Sequence, residues 1–194
     1  GRGSALRQAG ELPSVAEQIR RGQAYYRQRP KAEKFVAYFQ TFTNTYGTPQ
    51  RLRTFYDEAL AQKDVIGLSI GTRPDCLPDE VLALIRTYAE RCHLWLEFGL
   101  QSIHDRTLQA INRGHGAAAF LDAVKRAAGG SILICVHIIV GLPGETRDQI
   151  LETARTISGL PIGGIKIHSL LALGGTPLGE RYRRGDLDLM TQEE

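Results

Sequence analysis

The sequence has few cysteines, and these are far apart. Cys76, Cys92 and Cys135 form no C-x-x-C pair among 194 residues, so no disulfide framework is predicted. The five histidines are scattered along the chain, and their spacing does not match that of a metal-binding motif. This cysteine usage is typical of a reducing compartment, so we expect a cytoplasmic protein.

Long hydrophobic runs are also missing. No apolar stretch reaches the roughly 18–20 residues of a membrane-spanning helix, and the first residues lack the apolar core of a signal peptide. We therefore expect no membrane partner. The net charge of +3 and the pI near 8.8 permit an anionic partner such as RNA or a nucleotide, but they also suit many ordinary enzymes.

Several catalytic motifs are absent. The sequence contains no G-x-S-x-G, no H-E-x-x-H, no Walker A loop and no G-x-G-x-x-G. These absences argue against a serine hydrolase, a zinc protease, a P-loop NTPase and a Rossmann dehydrogenase.

The sequence does contain strongly apolar runs that alternate with helical patterns. Strands are predicted at 35–42, 65–71, 93–100, 132–142 and 164–173, and nearly continuous apolar runs are typical of parallel strands buried on both faces. Capping-box spacing at 14–17 and 146–149 predicts helix starts. We expect one α/β domain over residues 1–194, a partial parallel (β/α) barrel. Because the chain opens with a loop and a helix, we expect its first strand to lie upstream.

Polar residues follow the predicted strands, where parallel barrels bind their ligands. Gln40, Thr41 and Asn44 follow the first run, Thr72 and Arg73 the second, and Gln101 the third. Their convergence predicts a pocket for a large polar ligand at this rim.

Four segments carry a family resemblance. They are G-T-R-P-D at 71–75, E-F-G-L-Q-S at 97–102, I-N-R-G-H at 111–115 and H-I-I-V-G-L-P-G-E at 137–145. Their order and spacing resemble the radical S-adenosylmethionine (SAM) superfamily, in its YhcC-type branch. That branch is similar to the elongator catalytic subunit and, more distantly, to oxygen-independent coproporphyrinogen oxidase.

The resemblance implies a (β/α)6 partial barrel that binds SAM across its strand ends. It assigns the first strand end to the methionine amino group, Gln101 to the ribose and Arg113 to the methionine carboxylate, which suits an arginine fork. Glu97 is a weaker candidate for SAM binding, because alternation along the strand leaves open whether its side chain points into the pocket or away from it. The implied binding residues are Gln40, Thr41, Asn44, Thr72, Arg73, Gln101, Arg113, Ile139, Val140 and Leu171.

The family holds a [4Fe–4S] cluster with three cysteines in a loop after its first strand, and this chain has no such loop. The resemblance therefore implies that only the full-length protein carries the cluster, and that the chain alone is inactive. It also implies an electron donor such as flavodoxin or ferredoxin, and as substrate the wobble uridine of tRNA.

Alternatives remain open from the residues. One is a non-catalytic barrel that binds a nucleoside or a partner. Another is a barrel aldolase or isomerase, for which Lys166 is the candidate Schiff-base residue. His137 is either a core histidine or a ligand contact, and the arginines at 20–21 and 181–184 are either a solvated face or an RNA patch.

Overall fold

The computed structural model describes residues 13–28, 32–187 and 189–190. It confirms an α/β fold in which five parallel strands form one sheet in sequential order. The strands are β1 (Phe35–Phe39), β2 (Val65–Thr72), β3 (His93–Gln101), β4 (Ile132–Val140) and β5 (Gly164–Ser169). The helices are α1 (Val15–Arg27), α2 (Pro49–Leu60), α3 (Asp79–Ala89), α4 (Asp105–Ala110), α5 (Ala117–Ala127), α6 (Arg147–Ser158) and α7 (Pro177–Arg183).

The sheet curls into a half-barrel. In a flat sheet of five strands, the first and last strands would lie roughly 19 Å apart. Yet Lys166 Nζ on β5 lies only 3.2 Å from the Tyr38 hydroxyl on β1. The two side chains meet because the sheet bends towards its inner face.

The two faces of the sheet differ in chemistry. Side chains on the outer face, such as Leu68, Leu96 and Val136, are fully buried and belong to one apolar core. The helices complete that core with side chains such as Val81 and Phe120. Because side chains alternate along a strand, the intervening residues face the hollow of the half-barrel, which is the inner face.

Three strands, β1, β4 and β5, are shorter than predicted, and β4 ends at Val140 instead of 142. β1 ends at Phe39, because Thr41 and Phe42 adopt positive φ angles of 64° and 59°, which an extended strand cannot continue. β5 ends at Ser169 instead of 173. Its neighbour β4 ends at Val140, so the last bond between them runs from Leu170 N–H to the Val140 carbonyl oxygen.

The predicted helix starts are confirmed. Thr146 and Gln149 form a complete capping box at α6, whereas the Ser14 hydroxyl only accepts the Glu17 N–H at α1. Within the described residues, no helix is both long and apolar enough to cross a membrane.

Candidate functional site

A cluster of five polar side chains, one from each strand, occupies the inner face. Its members are Tyr38, Ser69, Glu97, His137 and Lys166, and we call them the Glu97 cluster. The Glu97 carboxylate lies at its centre and is 5% exposed. One oxygen accepts hydrogen bonds from Tyr38 OH at 2.8 Å, His137 Nε2 at 2.7 Å and Lys166 Nζ at 2.6 Å. The other oxygen accepts the Ser69 hydroxyl.

These contacts keep Glu97 ionised. Burial acts to raise the pKa of Glu97, but hydrogen bonds from His137, Lys166 and Ser69 outweigh it and hold the pKa well below its usual range. Burial likewise acts to lower the pKa of Lys166, and its bond to Glu97 outweighs burial and raises the pKa. A raised pKa favours the ammonium form of Lys166, which argues against the Schiff-base hypothesis, since that chemistry needs a neutral amine.

A second group of side chains meets at the carboxyl ends of β2 and β3. The Arg113 guanidinium donates to the Gly99 carbonyl oxygen, at 3.2 Å from Nε and 2.5 Å from a terminal nitrogen. A Cβ at Gly99 would lie 2.5 Å from Arg113 and 2.7 Å from the Gln101 amide nitrogen. Both side chains thus lie directly over Gly99, and only glycine leaves them room. Arg73 joins this group by donating to the Gly114 carbonyl oxygen at 2.9 Å.

Arg113 has no carboxylate partner within the described residues. The nearby Asp75 is engaged by Arg73, at 2.5 Å and 2.9 Å. Burial and the positive charge of Arg73 lower the pKa of Arg113, and the negative charge of Asp75 offsets them only in part. A half-buried guanidinium in this state favours an incoming carboxylate.

The backbone around this rim is strained. In the described part of the chain, five residues other than glycine have positive φ, and four of them lie here: Thr41, Phe42, Gln101 and Asn112. Such conformations cost about 1–3 kcal/mol each and cluster at functional sites. At Gln101 the strain accompanies an irregularity in the pairing of β3 with β4, at the residue whose side chain covers Gly99.

Two predicted residues are engaged in holding the rim together. The Asn44 amide donates to the Phe39 and Gly71 carbonyl oxygens at 3.1 Å and 2.9 Å. The Thr72 hydroxyl is buried and lies 2.6 Å from that of Thr45. Their side chains join the ends of β1 and β2, so a SAM contact from either remains a prediction.

The other predicted residues lie along the same edge of the sheet. Gln40 and Thr41 are exposed after β1. On β4, Ile139 follows His137 on the inner face, and Val140 alternates to the outer face. Leu171 lies just beyond β5 and is 71% exposed.

The described residues do not form a site for a [4Fe–4S] cluster. Cys76 follows β2, Cys92 lies in the turn before β3, and Cys135 lies within β4, so the three thiols do not come together. Among the residues described, one group, Glu97, Cys135 and His137, has the spacing of a metal site. However, one Glu97 oxygen already accepts three hydrogen bonds, including one from the Lys166 ammonium at 2.6 Å, so a metal bound to that oxygen would have to displace a donor.

Sequence reasoning left the direction of the Glu97 side chain open and did not single out Tyr38. Leu96 and Phe98, on either side of Glu97, are strongly apolar and pack in the core. Alternation then places Glu97 on the inner face. That signal was present in the sequence. No comparable signal indicates that Tyr38 on β1 reaches Lys166 on β5, because that contact depends on the curvature of the sheet.

The sequence matches a protein-family model described as the Radical SAM superfamily, over residues 13–157. The chain is 44% identical over 164 residues to YtqA of Bacillus subtilis and 38% identical over 188 residues to YhcC of Escherichia coli. These alignments cover 84% and 96% of the chain, but only 51% and 60% of the relatives. The chain therefore spans about half to three fifths of their length.

More distant similarities are to a protein named as a tRNA uridine(34) acetyltransferase and to the structure of Elp3. The chain is 28% identical over 138 residues to a tRNA uridine(34) acetyltransferase of Methanocaldococcus infernus, covering 69% of the chain and 25% of that protein. Its structure resembles Elp3 of Methanocaldococcus infernus, with a TM-score of 0.73 and 20% identity over 92% of the chain and 46% of Elp3. At that identity the structural likeness shows the fold alone, and it agrees with a half-barrel of five parallel strands.

Proposed function

The chain belongs to the radical SAM superfamily, in its YhcC-type branch, and we propose that its strand-end rim binds SAM. The observation that carries the proposal is the half-buried Arg113 guanidinium, which has no carboxylate partner in the part of the chain that the structure describes. It lies over Gly99, beside the strained Gln101. In the proposed complex, Arg113 binds the methionine carboxylate and Gln101 binds the ribose hydroxyls.

The catalytic reaction belongs to the full-length protein. We propose that cysteines outside this chain hold a [4Fe–4S] cluster, since the thiols of the chain do not come together. When bound, such a cluster supplies the electron that cleaves SAM to a 5′-deoxyadenosyl radical. The electron comes from a donor such as flavodoxin or ferredoxin. The residues of this chain bind and orient SAM.

The proposed substrate is the wobble uridine of tRNA. One similarity supports this choice, the relative named as a tRNA uridine(34) acetyltransferase. The net charge of +3 is compatible with RNA binding. The protein would then act in the cytoplasm, with tRNA.

A second candidate is a non-catalytic module that binds a nucleoside or a partner. It is favoured by the separation of Cys76, Cys92 and Cys135 on different elements. In that case the barrel would keep its pocket without any redox chemistry.

Anaerobic iron–sulfur reconstitution of the full-length protein separates the two candidates. The radical-enzyme proposal expects about four irons per chain and formation of 5′-deoxyadenosine from SAM under dithionite. An iron-free protein, or a loaded protein that leaves SAM intact, would support the non-catalytic module.

A further inference from the structure

The Glu97 cluster borders the rim that is proposed to bind SAM, because His137 pairs with Gly99 in the sheet, but its polar groups are different ones. We propose that it is a second binding site, in which the Lys166 ammonium binds an anionic group, a phosphate or a carboxylate, of the substrate. This inference rests on the proposed function, because it names a chemical group on the molecule with which the bound SAM would react.

The first argument is the geometry of Lys166. Two of its three N–H groups are used, one towards Glu97 at 2.6 Å and one towards the Tyr38 hydroxyl at 3.2 Å. Its side chain is 40% exposed, and its third N–H has no hydrogen-bond partner among the described residues. The ammonium also lies 4.4 Å from the centre of the Tyr38 ring, which restricts its motion. A fixed, half-exposed ammonium is a point charge suited to phosphate or carboxylate.

The second argument is the sign of the charge that a ligand would meet. The Glu97 carboxylate is buried beneath its donors, since its side chain is 6% exposed. The groups in front of it are donors or imidazoles: Lys166, His137 and, two residues further along β5, the exposed His168. The His137 and His168 rings lie 5.5 Å apart. A ligand that enters the hollow would therefore meet the ammonium before it meets the carboxylate.

The third argument is energetic. Replacing a buried ion pair by well-packed apolar side chains is often neutral or stabilising. The outer face of the same strands consists largely of leucine, isoleucine and valine side chains. An apolar inner face would therefore also be compatible with this fold. Instead each of the five strands contributes one polar side chain to the same cluster, which argues for a ligand and not for stability alone.

The test is a calorimetric titration of this chain with inorganic phosphate and, separately, with succinate. The arm with the higher affinity identifies the group that is recognised. We expect Lys166→Met to weaken binding by about 10- to 100-fold, the value of one hydrogen bond to a charged group. Lys166→Arg keeps the charge and should therefore bind the anion more tightly than Lys166→Met does.

Two further variants complete the titration, one as a control and one as a substitute for Lys166→Met. Lys125→Met removes an exposed lysine from α5 and should leave the affinity unchanged. Lys166→Gln keeps a donor to Glu97 without the charge, and it replaces the methionine variant if that one does not fold; we expect the same loss. The inference is overturned if neither anion binds the wild-type chain, or if the folded Lys166 variants bind both anions as tightly as the wild type.

The two proposals fail in different ways. Cleavage of SAM by the reconstituted full-length protein, without substrate, should survive Lys166→Met and be lost in Arg113→Met. Loss of anion binding with SAM cleavage intact supports the second site. If SAM is never cleaved, the proposed reaction is wrong, and the anion titration still decides the role of Lys166.

Discussion

A buried carboxylate stays ionised only when protein donors replace its water. Glu97 has four such donors, and each comes from a different strand. At the scale of single residues, the charge of Glu97 therefore depends on the whole half-barrel being formed. In the unfolded chain the same carboxylate has its ordinary pKa.

Glu97→Gln should reduce the loss of free energy of unfolding that the chain suffers when the pH falls into the acid range. Because the pKa of Glu97 is lowered on folding, the stabilisation is complete above its ordinary value of 4.5 and is lost as the pH falls below it. At pH 7 the variant should lose about 1–3 kcal/mol, towards the lower end because Lys166 is half-exposed. Urea unfolding at pH 7 and at pH 4 measures both effects.

The matched control for this prediction is Glu33→Gln, which changes an exposed carboxylate. Its stability should follow that of the wild type at both pH values. If the wild type and Glu97→Gln lose the same free energy of unfolding on acidification, the ionised, donor-solvated state of Glu97 is wrong.

At the scale of the elements, the start of β2 and the start of β3 approach closely. Gly67 pairs with His93, and a Cβ at Gly67 would lie 2.1 Å from the His93 carbonyl oxygen. The neighbouring β1 has an irregular register at this level, between Phe35 and Val36. The glycine therefore permits the strand spacing at the base of the half-barrel.

Gly67→Ala should destabilise the chain by about 2 kcal/mol or more, because backbone must move to admit the methyl group. Gly22→Ala is the comparison, since Gly22 lies inside α1 with nothing within 4 Å of an added Cβ. That change should stabilise the chain by up to about 1 kcal/mol. Thermal unfolding of the two variants beside the wild type measures the difference, and equal midpoints would contradict the close approach.

The order and type of the elements could be predicted from the sequence, because the apolar strand runs and the capping residues at Ser14, Thr48 and Thr146 are local signals. The ends of the strands were harder to predict from the sequence. Thr41 and Phe42 take positive φ without being glycine, and no propensity predicts that. The rim residues Arg73, Gln101 and Arg113 were predicted by resemblance. Glu97, His137 and Lys166 were considered separately, but their contact with one another and with Tyr38 was not predicted, because it depends on curvature, which no local pattern encodes.

At the scale of the whole molecule, the half-barrel is open. Within the described residues, β1 pairs only with β2, and β5 pairs only with β4, so two strand edges lack a partner. The outer face of β5 is also bare, with Ile165 44% and Ile167 67% exposed. Unpaired edges and exposed apolar side chains favour association between chains.

We expect the isolated chain to self-associate as its concentration rises. Replacing Ile165 and Ile167 together by threonine should reduce this, because the apolar area on β5 shrinks while strand propensity is kept. Sedimentation velocity over a range of concentrations measures the effect. The matched control makes the same replacement by threonine at Leu121 and Leu151, which are 38% and 41% exposed on helices. This control should change the self-association little. A chain that stays monomeric throughout would contradict this prediction.

The central claim is that the rim around Gly99 binds SAM through Arg113. Saturation-transfer NMR on this chain with SAM tests it most directly, because the method detects weak binding and needs no turnover. We expect transfer to the adenine and methyl protons of SAM in the wild type and in Arg106→Met, which removes an exposed arginine from α4. In Arg113→Met, with its fold confirmed by circular dichroism, the transfer should disappear. Equal transfer in both variants, or none in the wild type, would contradict the claim.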